Sequence, residues 1–359
     1  PAFFVFLRSH NLACHTYTEN GSRVFHGMLD RLPWMRMNGK GSVPMTSEED
    51  VLRIFPEEMR GKWRKAAGYA ERLQEIRLRA DKPVLLCIDG KEFFKDKRGE
   101  IVSRTEQAEI MEREELERLI SYTCSYSMYA FEEEISRGYL SLPGGHRMGL
   151  AGEVVLSEQD KIRNIKHISC INIRISHEIK GAADTVLPFL YREGRFLNTL
   201  IISPPGCGKT TLLRDIIRQV SDGNPYGEGV TVGIVDERSE IAGSFQGRAQ
   251  NDVGLRTDIL DSCPKAEGMM LLIRSMAPKV IGVDELGSEE DIDAMKKVLS
   301  CGCAILATIH AGSAAEAAER LFMRKLAGEK VFERYIVLTR RLGKCEVEAV
   351  LDKEQRILS

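Results

Sequence analysis

The pattern of apolar and polar residues changes along the chain near residue 180. Downstream of that point, near-continuous apolar runs alternate with segments of helical character. The runs are FLNTLIIS (196–203), VTVGIVDE (230–237), KVIGVDE (279–285) and CAILATIH (303–310), and the helical segments are KTTLLRDIIRQV (209–220), AEGMMLLIRSM (266–276), EEDIDAMKKVL (289–299) and SAAEAAERLFMRKL (313–326). Such runs are typical of parallel strands buried on both faces. The alternation predicts a doubly wound α/β domain over residues 181–359.

Residues 45–180 have a different, mixed pattern, which predicts a smaller α+β domain. Thr46 or Ser47 is expected to cap a helix that has three acidic residues in its first turn. The segments EIRLRA (75–80) and PVLLCIDG (83–90) predict strands, EELERLISYTCSYSMYAFEEEISR (114–137) predicts a helix, and GGHRMGLAGEVVL (144–156) predicts a hairpin. The segment 178–194 is the expected domain boundary.

The first 44 residues show no sustained period, and the sequence begins with Pro. We expect residues 1–44 to be disordered or a non-native extension, and folded structure to begin near Met45. A core that contained Phe3 to Leu7 would contradict this expectation.

Composition narrows the class of protein only slightly. The formal net charge of -2 over 359 residues provides no general attraction to nucleic acid or anionic lipid. Nine cysteines, without a C-x-x-C pair, argue against a zinc site and a disulfide framework, and predict reduced thiols used as small apolar residues. No apolar run approaches the ~18 residues of a membrane span, so any membrane contact is expected to be peripheral.

The stretch SPPGCGKTT (203–211) resembles the phosphate-binding loop G-x-x-x-x-G-K-[ST], with Ser203 in place of the first glycine. Gly206 and Gly208 allow the backbone to approach phosphates, Lys209 would reach the β- and γ-phosphates, and Thr210 would bind Mg²⁺. Ser203 lies at the loop entry and removes no phosphate donor. The predicted ATP-binding residues are Ser203, Pro204, Pro205, Gly206, Cys207, Gly208, Lys209, Thr210 and Thr211.

Two of the later strands end in Asp-Glu pairs, Asp236-Glu237 and Asp284-Glu285. Carboxylates at this edge of the sheet are placed to hold Mg²⁺ and the attacking water. Asp284 is the candidate for orienting Mg²⁺, together with Thr210. Glu285 is a candidate base and Glu237 a second one, although one pair could merely cap a loop.

A third polar strand end carries Thr308 and His310 in AILATIHAG. Both side chains are candidates for contact with the γ-phosphate. A lone histidine at a strand end is more often structural, but here it follows a phosphate loop and two acidic strand ends.

The succession PPGCGKTT, VDERSEIAGS, RSMAPKVIGVDELG and ATIHAGSAAEAAERL resembles the Walker A, Asp-box, Walker B and His-box elements of type II and type IV secretion and pilus motor ATPases. The strings EIRLRADKP, GYLSLPGGHRMGLAGEV, INIRISHEIKGAADTVLP and RTDILDSCPKAEGM further resemble the stage III sporulation protein AA family. The resemblance covers about residues 73–311. It implies a RecA-like P-loop NTPase core preceded by the smaller N-terminal domain.

The resemblance also implies a function. Such proteins are thought to be ATPases of the mother cell of a sporulating bacterium, cytoplasmic and peripheral at the inner membrane, that drive a channel across the forespore membranes. The related motors are hexameric rings in which an N-terminal arginine reaches a neighbour's nucleotide. Arg147 is the first candidate, and the other candidates are Arg77, Arg79, Arg174 and Arg256. The motors favour Glu237 as the base and simpler ATPases favour Glu285, so the choice stays open.

Two other functions remain as alternatives. A nucleic-acid-dependent ATPase is one, because Arg163 and His167 have the R-x-x-x-H spacing of a single-strand-binding domain. However, no basic and aromatic surface surrounds them, IRNIKHISCINIRIS (162–176) is expected to form a strand pair, and no nucleic-acid partner is expected. The second alternative is a nucleotide-binding scaffold without turnover, against which the presence of Lys209, Thr210, Asp284 and Glu285 argues.

Overall fold

The computed structural model of the protein describes residues 46–156, 162–311, 316, 331–341 and 344–359. The expectations for residues 1–44, including the burial of Phe3 to Leu7, lie outside the described residues. The same holds for nearly all of the helix expected over residues 313–326.

The N-terminal part is built on a seven-stranded antiparallel sheet. Its strands are β1 (Leu73–Arg79), β2 (Leu85–Ile88), β3 (Lys91–Lys95), β4 (Ile101–Val102), β5 (Tyr139–Ser141), β6 (Arg147–Leu156) and β7 (Ile162–Arg174). They are arranged in the order β4-β3-β2-β1-β7-β6-β5. The helices are α1 (Glu48–Arg53), α2 (Glu57–Ala67), α3 (Arg113–Thr123) and α4 (Glu132–Ser136), with 3-10 turns at Thr105–Gln107, Met128–Phe131 and Pro143–Gly145. Ser47 caps α1 through a capping box with Asp50, as the sequence predicts.

Three predictions for this part are wrong in detail. The single helix over residues 114–137 is broken after α3, because Ser125 and Tyr126 adopt left-handed backbone angles that end a helix. Residues 144–156 do not form a hairpin by themselves, since β6 is one strand that pairs with β5 and β7. Residues 162–174 form one long strand, β7, instead of a strand pair.

The C-terminal part contains a second seven-stranded sheet. Its strands are β10 (Thr199–Ser203), β13 (Val232–Asp236), β14 (Thr257–Asp261), β15 (Val280–Val283), β16 (Ala304–His310), β17 (Arg334–Arg341) and β18 (Lys344–Asp352). They are arranged in the order β14-β13-β15-β16-β10-β17-β18, parallel except for the edge strand β18. The helices are α5 (Lys209–Asp222), α6 (Lys265–Ser275) and α7 (Glu289–Ser300), and a 3-10 turn lies at Leu187–Phe189. Two small hairpins complete this part. One pairs β8 (Tyr191–Arg192) with β9 (Arg195–Phe196), and the other pairs β11 (Gly223–Asn224) with β12 (Gly227–Glu228).

Helices cover both faces of this sheet, which confirms the doubly wound α/β fold. On β10, Ile201 packs in a core with Leu213 and Ile216 of α5. Its neighbours Leu200 and Ile202 point the other way, into the core that α6 and α7 share. All five residues of β10 are buried, as expected for a strand covered on both faces.

The two sheets have separate hydrophobic cores. The core under the first sheet extends to Ile175, and a core of the second sheet begins at Ala183. The division into domains at residues 45–180 and 181–359 stays a prediction. Among the described helices, none is long and apolar enough to cross a membrane.

Candidate active site

The loop between β10 and α5 has the backbone that a phosphate loop requires. Gly206 and Gly208 adopt φ angles of 68° and 75°, which favour glycine. Ser203 is the last residue of β10, in strand geometry, and its hydroxyl donates to the carbonyl of Pro204 at 2.8 Å. The serine therefore occupies a position that needs no glycine conformation.

Helix α5 presents its N-terminus to the end of this loop. Gly208 is its N-cap and offers no side chain to the first backbone N–H groups, and the first turn holds no acidic residue. Thr211 lies half-buried in that turn. Uncapped N–H groups and the helix dipole make such an end a binding site for anions. The residues present therefore fit a phosphate group.

Lys209 and Thr210 face the carboxylates that follow β15. The Nζ of Lys209 lies 2.7 Å from Oε1 of Glu285 and 3.5 Å from Oδ1 of Asp284. The hydroxyl of Thr210 donates to Oδ2 of Asp284 at 2.8 Å, and the hydroxyl of Thr308 donates to Oδ1. A hydroxyl beside a carboxylate, both hard oxygen ligands, fits Mg²⁺, which usually takes one or two protein ligands with substrate phosphates and waters.

The carboxylate of Glu285 contacts three basic side chains. Besides Lys209, it contacts Nε2 of His310 at 2.6 Å and accepts a hydrogen bond from Arg238 at 2.9 Å. Its backbone N–H donates to Thr308 Oγ1 at 2.9 Å, and its φ of 57° is left-handed. Burial opposes ionisation, but Lys209, Arg238 and His310 outweigh it and lower the pKa of Glu285. Glu285 is therefore held as a carboxylate between Lys209 and Arg238.

The two residues at the end of β13 have different environments. Asp236 is 1% exposed and accepts hydrogen bonds from three backbone N–H groups of residues 240–242, at 2.8 to 2.9 Å. Burial raises its pKa to about 6. Glu237 pairs with Lys265 and lines a cavity of about 700 Å³ that Glu285 and His310 also line. Asp236 thus holds a loop, whereas Glu237 faces the site.

We predict that Asp236→Ala destabilises the fold by about 3 kcal/mol, because three buried N–H groups lose their acceptor. The folded-state pKa of about 6 lies above the unfolded value, so the contribution of Asp236 is complete near pH 4 and declines as the pH rises through 6. The deficit should therefore be larger at pH 4 than at pH 8. Urea unfolding at both pH values measures it, with the exposed Asp293→Ala as control. Equal stability of wild type and Asp236→Ala would contradict the role.

Four of the five candidate arginines lie together, on the open face of the N-terminal sheet. Arg77, Arg79, Arg147 and Arg174 line a cavity of about 400 Å³. Nη1 of Arg147 donates to Glu240 at 3.1 Å, and its guanidinium lies 4.4 Å from the Tyr139 ring. Its buried Nη2 has no hydrogen-bond partner among the described residues. By contrast, Arg256 donates to the backbone of α5, at Ser221 O (2.9 Å), apart from this cluster.

The site contains three basic residues that the sequence analysis does not predict. Arg238 binds Glu285, Lys265 binds Glu237, and Arg340 donates to the carbonyl of Gly206 at 2.9 Å. Arg238 follows an acidic strand end directly, and this position was a usable signal. Lys265 and Arg340 have no such signal, because their positions in the site depend on how distant strands are arranged, and the neighbouring residues do not reveal that arrangement.

Comparisons with known proteins agree with this fold. The chain resembles the X-ray structures of the ATPase DotB from Legionella pneumophila (16% identity, 81% of this chain and 80% of that one, TM-score 0.51) and from Yersinia pseudotuberculosis (14%, 83% and 80%, TM-score 0.55). It also resembles the pilus retraction motor PilT with bound ADP (15%, 77% and 78%, TM-score 0.52). The fold is thus that of the ATPase DotB and of the pilus retraction motor PilT.

Within this class the particular family is also shown. The family model "Sporulation stage III, protein AA" matches residues 45–358. Stage III sporulation protein AA of Bacillus subtilis is 41% identical over 287 residues, which cover 80% of this chain and 89% of that protein. The chain belongs to the sporulation stage III protein AA family.

Proposed function

We propose that the protein hydrolyses ATP, with Mg²⁺ as cofactor, as a ring motor of a sporulation membrane complex. The observation that carries the proposal is the contact of Lys209 and Thr210 with Asp284 and Glu285 beside the phosphate loop. This contact joins the phosphate-binding residues to the carboxylates that hydrolysis requires. PilT, which shares the fold, was solved with ADP.

Each side chain then has a defined task. Backbone N–H groups of the loop and Lys209 bind the phosphates, and Thr210 with Asp284 would hold Mg²⁺, which neutralises charge that develops on the phosphoryl group. Thr308 fixes the rotation of Asp284 and the backbone of Glu285 through its hydroxyl. His310 orients the carboxylate of Glu285.

Glu285 is the base in this proposal. Its carboxylate and the phosphates compete for the same ammonium group of Lys209. When phosphates take Lys209, Glu285 loses a cation that lowers its pKa, and it becomes a better proton acceptor for water. Glu237, which lines the same cavity, is the alternative base.

The ring is a further part of the proposal. In it, six copies of the chain assemble, and Arg147 stabilises the phosphoryl group bound by a neighbouring copy. The grouping of Arg147 with Arg77, Arg79 and Arg174 around one cavity supports this role. The ring would work in the mother-cell cytoplasm, peripheral at the inner membrane, against membrane channel proteins of the sporulation complex.

We expect phosphate release from ATP to require Mg²⁺ and to increase per molecule with protein concentration as rings form. Light scattering across the same concentrations gives the mass of the assembly. Arg147→Ala should lose ~10³-fold in turnover and keep the wild-type mass, whereas exposed Arg98→Ala should match the wild type in both. A strict monomer with full turnover would contradict the ring, and turnover without Mg²⁺ would contradict the cofactor.

The alternative of a nucleic-acid-dependent ATPase has less support. Arg163 and His167 both lie on β7. However, His167 has a left-handed backbone conformation, and its Nε2 atom lies 3.9 Å from Oε2 of the acidic Glu153. Stimulation of the same phosphate release by single-stranded DNA, lost at high salt, would favour this alternative.

A further inference from the structure

The end of β17 and the start of β18 lie against the phosphate loop. Arg340, near the end of β17, and the thiol of Cys345, on β18, both donate to the carbonyl of Gly206, at 2.9 and 3.6 Å. Arg340 and Cys345 are also directly paired in the antiparallel register. A single backbone carbonyl of the loop is therefore held from two adjacent strands.

This contact brings two cysteines together. Cys207, next to Gly206, is 3% exposed, whereas Cys345 is half-buried. The Sγ atom of Cys345 lies 3.6 Å from the carbonyl oxygen of Gly206, the residue directly before Cys207, so the two cysteines are close together. Burial and the neighbouring Cys345 raise the pKa of Cys207, and the charge of Arg340 opposes them. A thiol and a guanidinium therefore meet at the backbone carbonyl that precedes Cys207.

We propose that Cys207 and Cys345 form a reversible disulfide that disables the phosphate loop. This inference rests on the proposed nucleotide binding at the same loop. The oxidant class is a peroxide, and the reductant is a small thiol or dithiol.

The chemistry balances in two steps. The more exposed Cys345 thiolate attacks one oxygen of hydrogen peroxide, the O–O bond breaks, and Cys345 sulfenic acid and hydroxide form. The Cys207 sulfur then attacks the sulfenic sulfur, the S–O bond breaks, and the disulfide forms. Over both steps, two thiols and one peroxide give one disulfide and two waters. A dithiol reverses the bond by thiol exchange and is itself oxidised.

The bond would act on the loop through its backbone. Cys207 lies between Gly206 and Gly208, the two left-handed glycines of the loop. A disulfide has narrow limits on the separation of its Cβ atoms and on its dihedral angle. A covalent tie from Cys207 to β18 therefore restrains the residues whose N–H groups must adjust to the phosphates.

The test uses the full chain treated with hydrogen peroxide and then with dithiothreitol. Mass spectrometry of non-reduced tryptic peptides detects the Cys207–Cys345 link, and a fluorescent ATP analogue reports affinity. We expect the link to form, the affinity to fall at least ~10-fold, and dithiothreitol to reverse both. Cys345→Ser should keep its affinity under peroxide. Cys301→Ser, which changes an exposed cysteine elsewhere, should respond like the wild type.

The inference is overturned if the peptides show no link, if the link leaves affinity unchanged, or if Cys345→Ser is inactivated like the wild type. Failure of the proposed function is a separate result, because reduced wild type would then not bind the analogue at all. The link itself is detected without nucleotide.

Discussion

Lys209→Ala is expected to reduce ATP turnover by at least ~10²-fold, the usual loss when one preorganised charge partner of a transition state is removed. Lys209 begins α5 and contacts both Asp284 and Glu285, at 3.5 and 2.7 Å. No other described cation contacts both carboxylates. Phosphate release measures the loss, and the exposed Lys91→Ala is the matched control.

The same substitution has a second, independent signature in stability. The lysine side chain is 8% exposed, and its substitution removes a cation from carboxylates that are 13% and 20% exposed, at a cost of about 3 kcal/mol. The folded-state pKa of Glu285 is lowered in the wild type, so this stabilisation is present above the unfolded pKa and is lost as the pH falls through the folded pKa. The deficit of Lys209→Ala should thus be large at pH 7 and shrink in acid. Full turnover in this variant would overturn the proposed role of Lys209.

Glu285→Gln is expected to lose ~10²- to 10⁴-fold in turnover and to retain nucleotide binding. The amide of glutamine has the shape of the carboxylate but accepts no proton. Because the amide is neutral, it also binds the ammonium group of Lys209 less strongly. Affinity for ATP should therefore equal or exceed that of the wild type. Single-turnover phosphate release and binding of a fluorescent analogue separate the two effects.

Glu237→Gln provides the matched comparison, because the same change is made in the same cavity. Glu237 pairs with Lys265 and does not contact Lys209. We expect this variant to lose ~10-fold or less, well below the range for a lost general base. A larger loss in Glu237→Gln than in Glu285→Gln would reverse the assignment of the base.

The sequence predicts the second sheet and its phosphate loop well, since both depend on local pattern. Four of the strands of that sheet, β10, β13, β15 and β16, are apolar runs, and the loop is a contiguous motif. The loop therefore needs no long-range information to be found.

Features that depend on distant contacts are predicted less well. The break after α3 depends on two left-handed residues, Ser125 and Tyr126, that are not of the types usually found there. The two partners of β6, β5 and β7, cannot be inferred from the residues of β6 alone. Similarly, Asp236 and Glu237 look equivalent in sequence, and only the fold shows that one binds backbone and the other faces the cavity.

The loop that Asp236 holds, at residues 240–242, connects the two sheets through side-chain contacts. Arg214 of α5 donates to the carbonyls of Glu240 and Ile241. The helix that begins at the phosphate loop is therefore hydrogen-bonded to the loop that Asp236 holds. The side chain of Glu240 in turn reaches Arg147 on the first sheet. A shift of α5 when phosphates bind at its N-terminus would be transmitted through two hydrogen bonds and one ion pair to the arginine-lined face. In this movement α5 would shift, while the carboxylate of Asp236 would keep the backbone of residues 240–242 in place.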